Sequence, residues 1–557
     1  MPSLGRLRAR VPTALALLAL SALTACGATT PRPSTQPPTP SPSAASSVDT
    51  SVDIATARAR GLPNAVEWQP YAPATFARAK AEGKLLLVDG AAEWCHWCHV
   101  MDETTYRDPE VGKLIAARFI AVRVDIDARP DLADRWSDWG WPATIVMAPD
   151  GRELGKFRGY LRPERLREVL GSIDGNALDG GAEVERSFDR GAPVAALGWV
   201  GARALLDLDG FWDEAQGGWG SQQKAPIGAN IEVELGRASA GDRKAGKRAA
   251  FILSQQRAII DPVFGGIYQY SAGHDWSAPH FEKLMSFQAP QIEAYARGYA
   301  VLGDRAWLAT ADALGGYVAS FLRAPDGTFY VNQDADLGAH DHGGRFVDGH
   351  TYYALDDAHR RALGTPWVDT HVYARENGLA IAAFATLFEV GKDRRNLALA
   401  TTSAAAIKKS HVGADGSVVH DAASREGPRY LADAAALARG YAVLARASGD
   451  GAWLTQAESI ATNIVASFAD PSTGLLFDAT VDPAAGGVFA RREPSFPHAV
   501  VAARAFCAIG AQTKKAEWTT AGQRTLAAIA SPKRIDAQGR FLGELLLALD
   551  ECGVRPW

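Results

Sequence analysis

Cysteine is scarce in this chain. Five in 557 residues are too few to build a disulfide scaffold of this size, so each can be weighed for its own chemistry. Long apolar runs are lacking too, and the stretch from about Val11 to Ala25 falls short of the roughly 20 residues a spanning helix requires. A polytopic membrane protein is thereby excluded. Positive charge is not in excess either. The formal net charge is −5, so no strongly basic face is available to displace phosphate counterions, and nucleic acid is not an expected partner. What is present is ordinary globular composition, 47 % hydrophobic and 22 % charged, enough for large cores and too apolar for a mainly disordered chain. The length admits several domains, but a barrel can absorb about 350 residues as one, and two folded units are expected.

The first residues read as a basic segment with Arg6, Arg8 and Arg10, then a short apolar run, then Cys26. That order fits a cleaved export signal over residues 1–25 better than a permanent anchor. The segment LTAC, Leu23 to Cys26, resembles the lipobox of bacterial lipoproteins, which implies that Cys26 becomes the lipidated first residue of the mature chain. Residues 26–55 are rich in Pro, Ser and Thr, a composition that cannot bury a core and favours an extended tether. The expected location is extracytoplasmic, lipid-anchored to a bacterial membrane.

Residues 56–178 read as an α/β unit. KLLLVD is an apolar run too short for a core helix, a strand ending near Asp89; FIAVRVDID and ATIVM read as further strands, GRELGKFRGY as a hairpin return and PERLREVLGSI as a closing helix. Between the first two strands lies AAEWCHWCHVM. A strand ending in Asp, a turn with Ala-Glu-Trp, Cys-x-x-Cys opening a helix and a later proline before a strand resemble the thioredoxin signature. Cys95 at a helix N-terminus would meet unpaired N–H groups and the positive end of the helix dipole, which favour the thiolate, so it is the expected nucleophile. Cys98, three residues on, lies within disulfide reach and is the expected resolving thiol. Asp89, on a strand expected to be buried, would have its charged form disfavoured and could take the Cys98 proton as general base. Trp94, Trp141 and Pro142 are candidate substrate contacts, and Pro142 resembles the cis-proline that faces the Cys-x-x-Cys in that fold. Cationic His96 and His99 would further stabilise the thiolate. The rival reading of CHWCH is a zinc site, but no second Cys-x-x-Cys or HxxxH completes a tetrahedral set, so neither a metal nor a cofactor beyond the Cys95–Cys98 couple is expected.

Residues 179–557 are rich in Ala and Leu, with apolar residues recurring at three and four, as in IEAYARGYAVL, NGLAIAAFATLF and ADAAALARGYAVLARA. A glycine turn followed by an aromatic or aliphatic residue returns between helix pairs: GGWG at Gly217, GGIYQY at Gly265, DGTFYV at Asp326, DGSVV at Asp415, TGLLFD at Thr473 and QGRF at Gln538. Spacings of about 50 to 90 residues suit helical hairpins closing a toroid, and an all-α (α/α)6 barrel is expected. The segments WCHWCHVM, GWPATIVMAPDG, GGWGSQQKAP, PHFEKLM, the DAD acids and ENGLAIAA together resemble the DUF255 family, also called spermatogenesis-associated thioredoxin-like or YyaL-like proteins. The resemblance implies a thioredoxin-like domain joined to a six-hairpin-glycosidase-like barrel. It also shows departures: QYSAGHDW is shortened after GGIY, ARENG stands where Ser-Trp-Asn-Gly is usual, ADA where a paired Asp-Asp-Tyr is common, and SFPHA where a Ser-Gly-Asn run is expected.

PHFEKLM reads as a helix starting at Pro279, with His280 and Glu282 in its first turn at the barrel rim. A His-Glu pair serves proton transfer, and Asp334 or Asp336 could supply a second carboxylate for glycosidic chemistry; equally, Glu282 could cap its helix and the DAD acids shape a turn. Cys507 and Cys552 either pair or stay as buried thiols, and AHDHGG reads as a solvated loop rather than a metal site. Three functions follow: a thiol–disulfide oxidoreductase acting on protein thiols or an envelope electron donor, with a barrel that binds a carbohydrate; a carbohydrate-active hydrolase or epimerase with a redox-sensitive accessory domain; or a non-catalytic binding protein.

Overall fold

The computed structural model of the chain describes Ile54, Arg58 and residues 61–136, 140–173, 188–341, 345–483 and 485–557. The leader, Cys26, most of the tether and the expected domain junction at 178/179 lie outside the described residues.

The N-terminal unit is a three-layer α/β domain. Its five strands, β1 (Gln69–Pro70), β2 (Leu85–Ala91), β3 (Phe119–Asp125), β4 (Ala143–Met147) and β5 (Glu153–Arg158), form one sheet in the order β1-β3-β2-β4-β5. β3 runs parallel to β1 and β2, while β4 is antiparallel to β2 and to β5. Every residue of β2 is buried, because helices cover both faces of this central strand. The two-residue alternation divides its side chains. Leu85 and Leu87 join Met101, Val111, Ile115 and Leu166, from α2 (His96–Thr104), α3 (Pro109–Arg118) and α5 (Pro163–Ser172). Leu86 and Val88 join Phe76, Ala79, Leu132 and Trp136, from α1 (Pro73–Glu82) and α4 (Pro130–Trp136). Local chemistry sets the ends: Pro73 opens α1 and Gly83 at φ 62° closes it, and the Asp108 carboxylate caps α3 by accepting from the Glu110 and Val111 amides.

Twelve helices of nine or more residues build the barrel of the second unit among the described residues. They are α6 (Leu197–Gly210), α7 (Gly228–Ser239), α8 (Arg243–Gln255), α9 (Met285–Leu302), α10 (Arg305–Phe321), α11 (Ala374–Gly391), α12 (Arg394–His411), α13 (Leu431–Ser448), α14 (Gly451–Phe468), α15 (Phe496–Thr513), α16 (Ala516–Ile529) and α17 (Gly543–Glu551). α7, α9, α11, α13, α15 and α17 each pack on the next, and α17 returns to α7, closing an inner ring; α8, α10, α12, α14, α16 and α6 back them from outside. This is the (α/α)6 barrel. Each of the six glycine turns read from the sequence follows an outer helix, and Gly218, Gly266, Gly327, Gly416, Gly474 and Gly539 all adopt positive φ there, where a side chain would be strained. The inner ring is tightest between α11 and α13. A Cβ on Gly378 would lie 2.6 Å from the Ala436 carbonyl carbon, and one on Gly440 2.5 Å from the Gly378 oxygen.

Cys507 and Cys552 form a disulfide with Cα atoms 5.2 Å apart, fastening α15 to the end of α17. The helix expected from Pro279 starts later, at Met285: Pro279–His280 and Lys283–Leu284 are short strands paired to Tyr270–Ser271 and Asn332–Gln333. Extended pairing fits because the Lys283 ammonium is drawn away from the helix axis to the buried Asp261 carboxylate, 2.7 Å distant. Among the described residues no helix is long and apolar enough to cross a membrane.

Candidate functional site at the domain junction

β2 delivers the chain to the turn Ala92–Trp94, and Cys95 becomes the N-cap of α2, where its Sγ accepts the Cys98 amide at 3.2 Å. The two cysteines are joined as a disulfide, Cα to Cα 5.2 Å. Neither sulfur lies at a surface: Cys95 is 3 % and Cys98 4 % exposed, because Leu284 and Phe287 of the barrel pack over them together with Trp94 and Ile126.

Asp89 sits in β2, the strand that leads into the Cys95–Cys98 turn, and is 1 % exposed. One carboxylate oxygen accepts from Arg123 at 2.9 Å; the other has no hydrogen-bond partner among the described residues. Burial pushes this carboxyl up to about 6, against the pull of Arg123, which also pairs with Asp102. Trp94 donates its indole N–H to Asp127 at 2.7 Å, and the barrel's Asn332 donates to the same oxygen at 3.1 Å. The Trp141–Pro142 peptide is cis, with Pro142 buried and the Trp141 ring across from Gly90, where a Cβ would come within 3.2 Å of it.

The four acidic and histidine candidates of the barrel meet the redox motif itself. His96 donates from Nδ1 to Asp336 at 2.6 Å, and its backbone N–H donates to Glu282 at 3.3 Å. His99 lies 3.7 Å from Asp334 and 3.8 Å from Asp336. Burial would lower both imidazoles, but the aspartates outweigh it: His96 is raised, and His99 is pushed up to about 9. Burial would raise Asp336, yet the two histidines hold it well below the carboxylate range. Glu282, fully covered, is pushed up to about 7. The expected His280–Glu282 couple does not form. His280 stacks on Tyr270 with ring centroids 4.1 Å apart, and burial together with the His96 charge drives it down to about 3, leaving it neutral.

None of His280, Glu282, Asp334 and Asp336 lines the cavity of about 400 Å³ that opens where the first turns of α9, α11 and α15 face the α/β domain. Its chemistry comes from residues the sequence reading missed: Asp127, Arg375, Glu376, His420 and His498, with Trp94, Trp141 and Phe287 as apolar walls. His420 donates to Asp433 at 3.0 Å and to the Asp127 carbonyl at 2.9 Å, and these outweigh burial to push it up to about 9. A signal for some of them was available: Arg375 and Glu376 lie in ARENG and His498 in SFPHA, two of the segments that depart from the family pattern. Further along the inner helices α9, α13 and α15, Glu293, Arg439 and Arg504 pair among themselves and with their neighbours (Arg439 to Glu293 2.8 Å, Arg504 to Glu551 2.7 Å), forming a charged tier within the ring.

A thioredoxin-like α/β domain seated on the rim of a closed ring of six helical hairpins is the class this fold and site define. Within it, residues 59–173 match the family described as "Protein of unknown function, DUF255". The chain is 28 % identical over 312 residues to spermatogenesis-associated protein 20 of Homo sapiens, a match covering 49 % of this chain and 39 % of that protein. It is 32 % identical over 121 residues to thiol:disulfide interchange protein DsbD 1 of Pseudomonas aeruginosa, covering 20 % of this chain and 19 % of the relative. The chain thus spans well under half the length of these curated relatives. Among solved structures, cellobiose 2-epimerase from Spirochaeta thermophila is similar with a TM-score of 0.49 at 12 % identity, over 65 % of this chain and 98 % of that one.

Proposed function

We propose that the protein is a thiol–disulfide oxidoreductase whose barrel governs access to the reactive pair. The observation that carries this reading is the Cys95–Cys98 couple at the N-terminus of α2, with a buried carboxyl, Asp89, on the preceding strand whose proton affinity is raised toward neutrality. In the reduced protein the Cys95 thiolate attacks a substrate disulfide, one sulfur leaves as thiolate, and a mixed disulfide forms. Cys98 then gives its proton to Asp89 and attacks Cys95 Sγ, releasing the second thiolate. Two electrons pass to the substrate, and a dithiol donor returns the pair to the reduced state. An extracytoplasmic position, with Cys26 as lipid anchor, belongs to the same proposal; loss of metabolic lipid labelling in Cys26→Ala would support it, and undiminished labelling would remove it. The central test is trapping. Full-length Cys98→Ala should accumulate mixed disulfides that Cys95→Ser cannot form, and equal yields from both variants would refute the assignment.

The cavity favours a second role for the barrel. Acidic, cationic and aromatic groups around about 400 Å³ suit a small polyhydroxylated ligand, such as a carbohydrate, held by paired hydrogen bonds and ring stacking. A glycan binding and turnover screen with wild type and Glu376→Gln tests it: binding lost in the variant supports the role, and binding indifferent to the variant refutes it.

A further inference from the structure

We propose that His99, Asp334 and His340 form a binding site for a divalent transition-metal ion, zinc by preference, bridging the redox helix and the barrel. The three ligand atoms lie within 4.8 Å of one another. His340 Nε2 is 3.0 Å and His99 Nε2 3.7 Å from the same oxygen, Asp334 Oδ2, and the two imidazoles meet edge to face at 5.2 Å. Zinc held at about 2.0–2.2 Å by nitrogen and oxygen sets its ligand atoms about 3.4 Å apart, inside this range of spacings. The other Asp334 oxygen is taken by the Asp336 amide at 2.9 Å, which leaves Oδ2 directed at the histidines.

Two further features point to a cation. Asp334, Asp336 and Glu282 are all buried, and among the described residues no lysine or arginine pairs with them; their partners are imidazoles and main-chain amides. Carboxylates withdrawn from water need compensating charge, and a divalent ion supplies more of it than one imidazolium. The second feature is His99 Nδ1, a buried nitrogen with no hydrogen-bond partner among the described residues, 3.8 Å from Asp336. Metal-bound histidines usually turn their second nitrogen to a carboxylate, and Asp336, itself held by the Gly349 amide at 2.8 Å, stands in that place. His99 Nε2 also contacts the Glu93 carbonyl at 2.8 Å, a bond that metal ligation would replace. The loop bearing His340 is fixed by Arg58, which donates to the Ala339 carbonyl at 3.0 Å, and His340 itself is 32 % exposed, giving the ion a route in.

Two imidazoles and one carboxylate select zinc or a neighbouring transition metal over magnesium or calcium, and three protein ligands leave a coordination position open. CHWCH thus contributes a histidine, rather than its cysteines, to a metal set completed by Asp334 and His340. The test is zinc stoichiometry of the full chain, with Cys95–Cys98 oxidised, after chelation, re-equilibration with zinc chloride and desalting. One zinc per chain is expected, unchanged in Cys95→Ser/Cys98→Ser and not displaced by excess magnesium. His340→Ala, a change in a partly exposed loop, should weaken zinc binding by about 100-fold or more, and Asp336→Asn by about 10- to 100-fold through misorientation of His99. Absence of retained zinc, retention indifferent to His340→Ala, or loss in the double cysteine variant would each overturn the site.

Discussion

Replacing Asp89 by asparagine removes a carboxylate whose ionised form the fold resists. In the unfolded chain this group titrates near 3.8, in the folded chain near 6. Because the folded value is the higher one, the group's favourable contribution to stability is complete below about pH 3.8 and is lost as pH rises through 6. At pH 7.5 the folded protein carries an ionised, desolvated Asp89 at a cost of about 3 kcal/mol, and at pH 5 about half of that. Asparagine has the same shape and no such cost, and Arg123 keeps Asp102 and the face of Trp68, 4.3 Å away. Asp89→Asn is therefore expected to stabilise the α/β domain by about 3 kcal/mol at pH 7.5 and by about half of that at pH 5. Hydrogen exchange of β2 and β3 amides across urea concentrations reads this directly. The same variant should lengthen the lifetime of the Cys95 mixed disulfide by about 100-fold, since Cys98 loses its proton acceptor. A stability gain that does not vary with pH, or a variant less stable than wild type at pH 7.5, would refute the reasoning.

Three other outcomes are expected. Cys552→Ser should lower barrel stability by about 4 kcal/mol on the chain-entropy account of a 45-residue separation, measured by urea unfolding with and without reductant; reductant should have no further effect on the variant's barrel transition. Gly440→Ala should cost about 1–3 kcal/mol or more and lower Tm, because its new methyl group meets the Gly378 carbonyl, whereas Gly451→Ala, with open space around it, should be nearly neutral. The stabilising charge of His420 is present below its ordinary pKa near 6.5 and lost as pH rises through about 9; in Asp433→Asn the NMR titration of its ring should move down toward 6.5 and the stability slope across that window should flatten.

Much of the architecture could be read beforehand for identifiable reasons. Leu85 to Val88 announce a strand covered on both sides, and the six glycine turns mark six returns because positive φ at Gly218, Gly266 and their equivalents demands that residue. The local parts of the redox site were legible on the same basis: Cys95, Cys98 and Asp89 lie on one strand-turn-helix, whose geometry follows from short-range rules. What sequence could not supply was the docking of two domains. Glu282, Asp334 and Asp336 were picked as barrel acids, but their partners, His96 and His99, lie some 190 to 240 residues away, and no periodicity links them. The cavity escaped for the same reason, since Arg375, Glu376, His420 and His498 come from three separate hairpins. His280 and Glu282 were paired by proximity in sequence, but each is taken by another partner: the His280 ring stacks on Tyr270, and Glu282 accepts the His96 amide.

The cover that Leu284 and Phe287 lay over the sulfurs makes reagent size a gauge of breathing. A buried bond reacts only during excursions that lift the lid, so a compact phosphine and a bulky one reaching the same disulfide would sample openings of different width. The ratio of their rates, followed against temperature, would give the free energy separating a crack between the domains from their full parting.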